Sequence, residues 1–255
     1  VGTLTLTDCE IKNNNVQNGT IKNHSGGILY VNDCLIYGNI ATNGAGIFVN
    51  GLVVIKNSQI KNNTANNFGG GIYYSTTTAV RELKIENTTF ENNFAKDGKD
   101  IYMLGGKITF NSSNIKLGEI TILLGDISIN STSNIECLIN IKNGANIMFN
   151  GGVFENFEKC YFHLIDLKPD MQVFKCINFD LNEEDFQKVK IKNKSIKLHY
   201  EDNTVFANMI EENNNGNNLW LIIIIATIGI ILLFIGIVIT FKIKKNKNKK
   251  KFIIK

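Results

Sequence analysis

Carboxylates come first, because hydrolysing a glycosidic bond takes two of them, one on each side of the scissile bond. Asp97 and Asp100 are the two aspartates set closest together in the repetitive half of the chain, and the run Asp97-Gly98-Lys99-Asp100 reads as a solvated turn. The three histidines, His24, His163 and His199, share no spacing that would gather them round a metal. The single arginine, Arg81, falls in an insertion from Thr76 to Glu82 and reads as a loop residue. No catalytic residue, metal ligand or cofactor site is assigned. Of the five cysteines, Cys9 and Cys34 occupy one repeated position, close enough in a stacked fold for a disulfide. Serine and threonine fill that position elsewhere, which favours two stacked thiols. Cys160 and Cys176 are a second candidate disulfide, and Cys137 is left over.

Two further sets of residues carry chemistry of a gentler kind. N-x-Ser/Thr acceptors for N-glycosylation stand at Asn18, Asn23, Asn62, Asn87, Asn111, Asn130 and Asn193. Asn87 falls on a repeated turn position and is expected to be a poor acceptor, Asn62 a good one. Leu29, Phe48, Tyr73 and Tyr102 each follow an isoleucine expected to point inward, so by strand alternation they form an outward apolar and aromatic stripe. Such a stripe suits a sugar ring or a partner strand, or it simply packs coil on coil.

What positions these residues is a repeat. LTDCEIKNN (Leu6–Asn14), VNDCLIYGN (Val31–Asn39), IKNSQIKNN (Ile55–Asn63) and IENTTFENN (Ile85–Asn93) align, with Ile11, Ile36, Ile60 and Phe90 spaced by 25, 24 and 30 residues. N-x-A follows the last three, and a glycine-rich lead-in follows each: Gly26-Gly27-Ile28, Gly44-Ala45-Gly46-Ile47, Gly69-Gly70-Gly71-Ile72 and Gly98-Lys99-Asp100-Ile101. A period near 24 built of short strand-like pieces fits one coil of a parallel β-helix, and no window sustains the 3.6-residue spacing of helical repeats. Stacking then predicts apolar columns and two ladders of polar side chains, Asp8, Asp33, Asn57 and Asn87 in one, Asn14, Asn39, Asn63 and Asn93 in the other. The pattern weakens after Ile101 and recurs near Phe110, Ile129 and Phe149, which predicts shorter coils. Period-2 alternation from Lys188 to Tyr200, with Asn193-Lys194 as its turn, predicts a capping hairpin.

The repeat resembles the polymorphic outer-membrane-protein family of surface adhesins, whose hallmark is paired FxxN and GGA[I/L/V] motifs on a pectin-lyase-like β-helix. Phe90-Glu91-Asn92-Asn93 matches the first motif, Ile60-Lys61-Asn62-Asn63 and Ile36-Tyr37-Gly38-Asn39 match it with isoleucine, and Gly70-Gly71-Ile72 approaches the second. The likeness covers roughly Leu6 to Tyr102 and implies a fold and an adhesive role. Relatives of that kind end in a β-barrel, whereas this chain ends in an apolar run.

That run, Leu219 to Phe241, is 23 residues without a charge, preceded by an asparagine-rich stretch and followed by eight lysines. As a helix it would be roughly 34 Å long at 1.5 Å per residue, enough to span a bilayer core. The lysines place its far end in the cytosol and the body outside or in a lumen. The net charge of +4 hides this asymmetry: 27 basic residues less the tail's eight leave 19 against 23 acids, a body of −4. A mildly acidic body with one arginine excludes a nucleic-acid partner.

The expected architecture is all-β: a right-handed, single-stranded parallel β-helix (solenoid) over 1–180, truncated at its N-terminus since the chain opens on Val1. A cap follows over 181–207, a polar stalk over 208–218, one transmembrane α-helix over 219–241 and a basic tail over 242–255. The expected function is a type I membrane surface protein that presents the β-helix for adhesion to glycans or surface proteins. The alternative is a membrane-tethered polysaccharide lyase or glycoside hydrolase, although the NTD, DD, GHG and RIK motifs of polygalacturonases are missing.

Overall fold

The computed structural model describes residues 2–76, 81–111, 114–130, 134–142, 145–150, 160–165, 171–177, 186–187, 189–192 and 196–209. Contacts divide the chain into Val1–Ile210 and Glu211–Lys255. The apolar run Leu219–Phe241, its lysine tail and most of the stalk lie outside the described residues. Among the described residues no helix is long and apolar enough to cross a membrane.

Corners decide this fold. Each early coil turns at three places where the backbone enters the left-handed region that asparagine, aspartate and glycine reach at least cost. Asp8, Asp33, Asn57 and Asn87 form the first corner, with φ of 54, 54, 49 and 48°. Asn13, Gly38, Asn62 and Asn92 form the second, at 55, 65, 54 and 53°, and Gly19, Gly44, Gly69 and Gly98 the third, at 56, 57, 62 and 60°. At the third corner only glycine fits, because a Cβ on Gly44 would sit 2.6 Å from the Ile47 carbonyl oxygen.

Between corners run short strands. β1 (Thr3–Thr7), β2 (Glu10–Lys12) and β3 (Ile21–Asn23) make the first coil. β4 (Ile28–Asn32), β5 (Leu35–Tyr37), β6 (Ile40–Asn43) and β7 (Ile47–Val49) make the second, and β8 (Leu52–Lys56), β9 (Gln59–Lys61), β10 (Thr64–Phe68) and β11 (Ile72–Tyr74) the third. The fourth holds β12 (Glu82–Glu86), β13 (Thr89–Glu91) and β14 (Ile101–Met103). Later coils carry two strands each: β15 (Lys107–Asn111) with β16 (Asn114–Ile122), β17 (Asp126–Asn130) with β18 (Asn134–Ile141), β19 (Asn146–Asn150) with β20 (Cys160–Leu164), and β21 (Met171–Ile177) with β22 (Lys190–Ile191). A hairpin, β23 (Ile196–Glu201) and β24 (Thr204–Met209), closes the series.

Equivalent strands pair in parallel, coil on coil, so the described residues are an all-β solenoid. The first wall is a ten-stranded sheet, β1-β4-β8-β12-β15-β17-β19-β21-β24-β23; the second is β13-β9-β5-β2; the third is β22-β20-β18-β16-β14-β11-β7-β3. Leu6, Val31, Ile55 and Ile85 stand in register and continue into Phe110, Ile129 and Phe149. Ile11, Ile36, Ile60 and Phe90 form the second column. From Val31 onward these side chains are fully buried, and each contributes about 1.5–3 kcal/mol by leaving water. Alanines of the N-x-A motif, Ala41, Ala65 and Ala95, pack with Ala45 in a separate small cluster.

The third wall corrects one alignment. Ile47 is paired below with Ile21, not Ile28, so the first coil's lead-in is Gly19-Thr20-Ile21. Ile28 pairs with Thr3 and Leu52 in the first wall. The positive φ of Gly19 matches Gly44, Gly69 and Gly98 and explains why it, rather than the Gly26-Gly27 pair, takes the corner.

After the fourth coil the second wall stops at β13, and β16 cuts across the corner as one nine-residue strand. This shortens the repeat, Phe110 to Ile129 to Phe149 being steps of 19 and 20 residues. The end is capped, though β22 and β23 do not pair with each other; Asn193-Lys194, the expected turn, lies outside the described residues. Lys190-Ile191 still pairs in parallel with Tyr161-Phe162, and the hairpin turns at Asp202-Asn203, both at positive φ (46 and 58°), as a two-residue turn matched to strand twist requires. Antiparallel pairing of β24 with β21 then covers the last parallel edge.

Candidate functional site

On the third wall the residue between two inward positions faces out: Lys22, Phe48, Tyr73, Tyr102, Thr121, Asn140 and His163, one per coil and in register. Three members of the expected stripe, Phe48, Tyr73 and Tyr102, stand here. Leu29 does not: it lies on β4 of the first wall, pairs with Leu4 and Val53, and is 2% exposed. It was misplaced with the Gly26-Gly27 lead-in. The stripe's true first-coil member is Lys22.

Geometry limits what these rings can do. Phe48 and Tyr73 stack with centroids 4.9 Å apart and planes 21° apart, Tyr73 and Tyr102 with 5.7 Å and 6°. The Lys22 ammonium sits 5.5 Å over the Phe48 ring, and Phe68 lies 4.6 Å from Tyr102 at the other end. Ring faces are therefore spent on one another, and ring edges meet solvent. Phe48 and Tyr73 stay partly exposed and Tyr102 is buried.

Beyond Tyr102 the same column turns polar and closes over. Asp97 accepts hydrogen bonds from the Thr121 hydroxyl (2.6 Å) and the Lys142 ammonium (2.5 Å). Glu119 accepts from the Gly98 N–H (3.2 Å) and the Asn140 amide (3.1 Å) and pairs with Lys99 at 3.6 Å. The Asn140 amide also donates to the Thr121 hydroxyl at 3.1 Å, and its oxygen lies 3.0 Å from His163 Nδ1. Thr121 and Asn140 are buried. The residues of this network, Thr121, Asn140, His163, Glu119 and Lys142, were missed in the sequence. The signal was there in Ile120-Thr121-Ile122, Ile139-Asn140-Ile141 and Phe162-His163-Leu164, each an outward residue between two apolar ones.

Asp100 does not join Asp97. It points into the fold and is 2% exposed. It ends the asparagine ladder, in which each carboxamide oxygen accepts from both the backbone and the side-chain amide of the coil before. Asn14 donates to Asn39 (3.0 and 3.0 Å), Asn39 to Asn63 (3.0 and 2.9 Å) and Asn63 to Asn93 (3.0 and 3.1 Å). Second amide hydrogens reach the Ile11, Ile36 and Ile60 carbonyls. Asn93 donates to Asp100 at 2.8 Å, and the Gly118 and Glu119 N–H groups donate to its other oxygen. Burial pushes the Asp100 carboxyl above the usual aspartate range, against the pull of these three donors. In the other predicted ladder, Asp8, Asp33, Asn57 and Asn87 are all exposed corner residues, and Asn87 donates to Asn57 at 2.8 Å.

The cysteine position has a plain chemical role. Ser58 and Thr88 hydroxyls donate to the carbonyl two residues back (2.7 and 2.8 Å) and accept the N–H of the coil before. Cys9 and Cys34 are free thiols making the same backward bond, at 3.2 and 3.0 Å, so no disulfide joins them. Burial pushes the Cys34 thiol up. Cys160 pairs in register with Cys137 on the third wall, while Cys176 lies on the first, paired with Phe149.

Sequon asparagines fare differently. Asn23 is 5% exposed and donates to the Leu52 carbonyl at 2.8 Å, so it is no surface acceptor. Asn18 accepts from Asn43, and its Thr20 hydroxyl is bonded to the Ala45 carbonyl. Asn111 donates to Glu86, and Asn130 donates to Asn111. Asn62 is exposed at the second corner. Asn193 lies outside the described residues.

Arg81 pins the third-to-fourth connection, donating to Ser25 Oγ (2.6 Å) and the Asn50 carbonyl (3.3 Å). Among the described residues no group of three histidine, cysteine, aspartate or glutamate side chains is placed to hold a metal. No family model matches the chain, and neither does any curated protein or solved structure.

Proposed function

We propose that this chain is a membrane-tethered surface protein whose solenoid, a right-handed parallel β-helix, presents its third wall to a partner without chemically altering it. Right-handedness is supported by the near-universal hand of parallel crossovers. Tethering is supported by Leu219–Phe241 and the eight lysines after it. The observation that carries the recognition reading is the open part of the outward column: Lys22, Phe48 and Tyr73 on three consecutive coils, beside Phe68, which is 36% exposed. Rings locked into a stack lose no rotamer freedom on binding, which favours them as contact residues. Their edges and the neighbouring lysine suit a glycan or protein surface rich in hydrogen-bond acceptors and negative charge.

The enzyme reading has one observation on its side, the two carboxylates Asp97 and Glu119 on one wall. Both are already engaged, Asp97 by Thr121 and Lys142 and Glu119 by Gly98, Asn140 and Lys99. A glycan and glycosaminoglycan array probed with residues 1–210, scoring capture and product release separately, tests both readings. Capture that falls at least tenfold in Phe48→Ala/Tyr73→Ala, with the melting temperature followed in parallel, is the expected result. Unchanged capture removes the proposal. Product release that Asp97→Asn or Glu119→Gln abolishes replaces it with the enzyme.

A further inference from the structure

We infer that Asn62 carries an N-linked glycan and is the acceptor this fold leaves open among its described sequons. The inference rests on the outward orientation proposed above. Asn62 sits at the second corner with φ 54° and an exposed side chain. Its backbone is fixed, the N–H bonding the Glu91 carbonyl at 2.9 Å, and the Thr64 N–H bonds the Asn39 carbonyl at 2.8 Å. Among the described residues, however, neither the Asn62 carboxamide nor the Thr64 hydroxyl has a hydrogen-bond partner. Its neighbour in the corner column of the coil below is Gly38, which has no side chain to crowd it. Every other described sequon has its amide or its hydroxyl engaged: Asn23 in the core, Asn87 on Asn57 at the surface, Asn111 on Glu86, Asn130 on Asn111, and Thr20 of the Asn18 sequon on Ala45.

A second observation marks the same spot. Thr64 is bracketed in its column by Ile40 and Phe94, which are 44% and 59% exposed. The first sugars on Asn62 would rise beside this apolar pair and shield it from water and from other chains.

The transfer is a substitution at an anomeric carbon. Asn62 Nδ2 bonds to C1 of a lipid-pyrophosphate-linked oligosaccharide, the C1–O bond to phosphate breaks, the lipid pyrophosphate leaves with the electron pair, and Nδ2 loses one proton. Transfer precedes folding, so the fold acts as a filter: a chain glycosylated at Asn23 would have to bury a sugar and would not reach this structure.

The full chain tests this when expressed in a eukaryotic secretory system behind a cleavable leader, with one reference sequon in a flexible tag before Val1 and another after Lys255. Glycopeptide mapping should find the first reference and Asn62 occupied, Asn23 and Asn87 bare, and the reference after Lys255 bare. Thr64→Ala should remove one glycan's mass and Thr64→Ser should retain it. A glycosylated first reference with bare Asn62 overturns the inference and leaves the orientation standing. A glycosylated reference after Lys255 with a bare first one overturns both.

Discussion

Asn63 shows how much one side chain can hold. Its carboxamide accepts two hydrogen bonds from Asn39 and donates to Asn93 and to the Ile36 carbonyl, all among buried residues. Asn63→Ala strands several buried polar groups at once, so it should cost about 3 kcal/mol, since each orphaned group costs about 1–3 kcal/mol. Chemical denaturation of residues 1–210 measures this, with Asn57→Gly, which keeps the left-handed backbone of an exposed ladder member unstrained, costing far less. Asp100→Asn should also destabilise, because an amide nitrogen would then face the donors of Asn93, Gly118 or Glu119. The asparagine column was legible because the same residue type recurs at each coil. Asp100 was not, because it reaches the column from seven residues beyond Asn93 and looks like half of a surface acid pair.

Strands of the first wall carry their charges on the outside. Glu86 bonds Lys56 at 2.8 Å, with Asn111 also donating, and this holds its carboxyl below the usual range. Burial pushes Glu82 up, but the Thr109 hydroxyl, Lys107 and Lys84 outweigh it and hold it down. A carboxylate with a depressed value lends stability that is complete above the ordinary glutamate range, near 4.3, and disappears as pH falls through the depressed value. Thermal melts should therefore drop between about pH 5 and 2, and Lys56→Met/Lys107→Met should flatten the drop. Asp100 runs the other way, its raised value giving stability that is complete at low pH and lost as pH rises. At this scale the sequence misled twice, with one cause: local turn chemistry offered two options. Gly26-Gly27 competed with Gly19 for the third corner, and Asn193-Lys194 with Asp202-Asn203 for the hairpin, and only pairing across coils selects between them.

The described solenoid is a stack in which each coil touches chiefly its two neighbours, so stability should be nearly a sum over coils and their interfaces. Deleting residues 53–82 brings Leu83 to the place of Val53, its register partner, and sets β12 directly on β4. The shortened protein should fold with the same far-ultraviolet spectrum per residue and a lower melting temperature. Loss of folding would mean the third coil is a nucleus rather than one layer among several. The early coils could be read from sequence in detail because their corners need particular residues; the later ones showed only as a weaker, shorter repeat, because β16 and β18 dispense with a corner and with it the asparagine that marked it. The carboxamide column has a further consequence. Every side-chain link in it runs the same way, each amide giving one hydrogen to the carboxamide oxygen of the next coil, so the row has a direction, and Asp100 is the acceptor that ends it. A layer can be inserted or removed anywhere along such a row, but never upside down: the column behaves as a one-way ratchet that admits growth in a single sense.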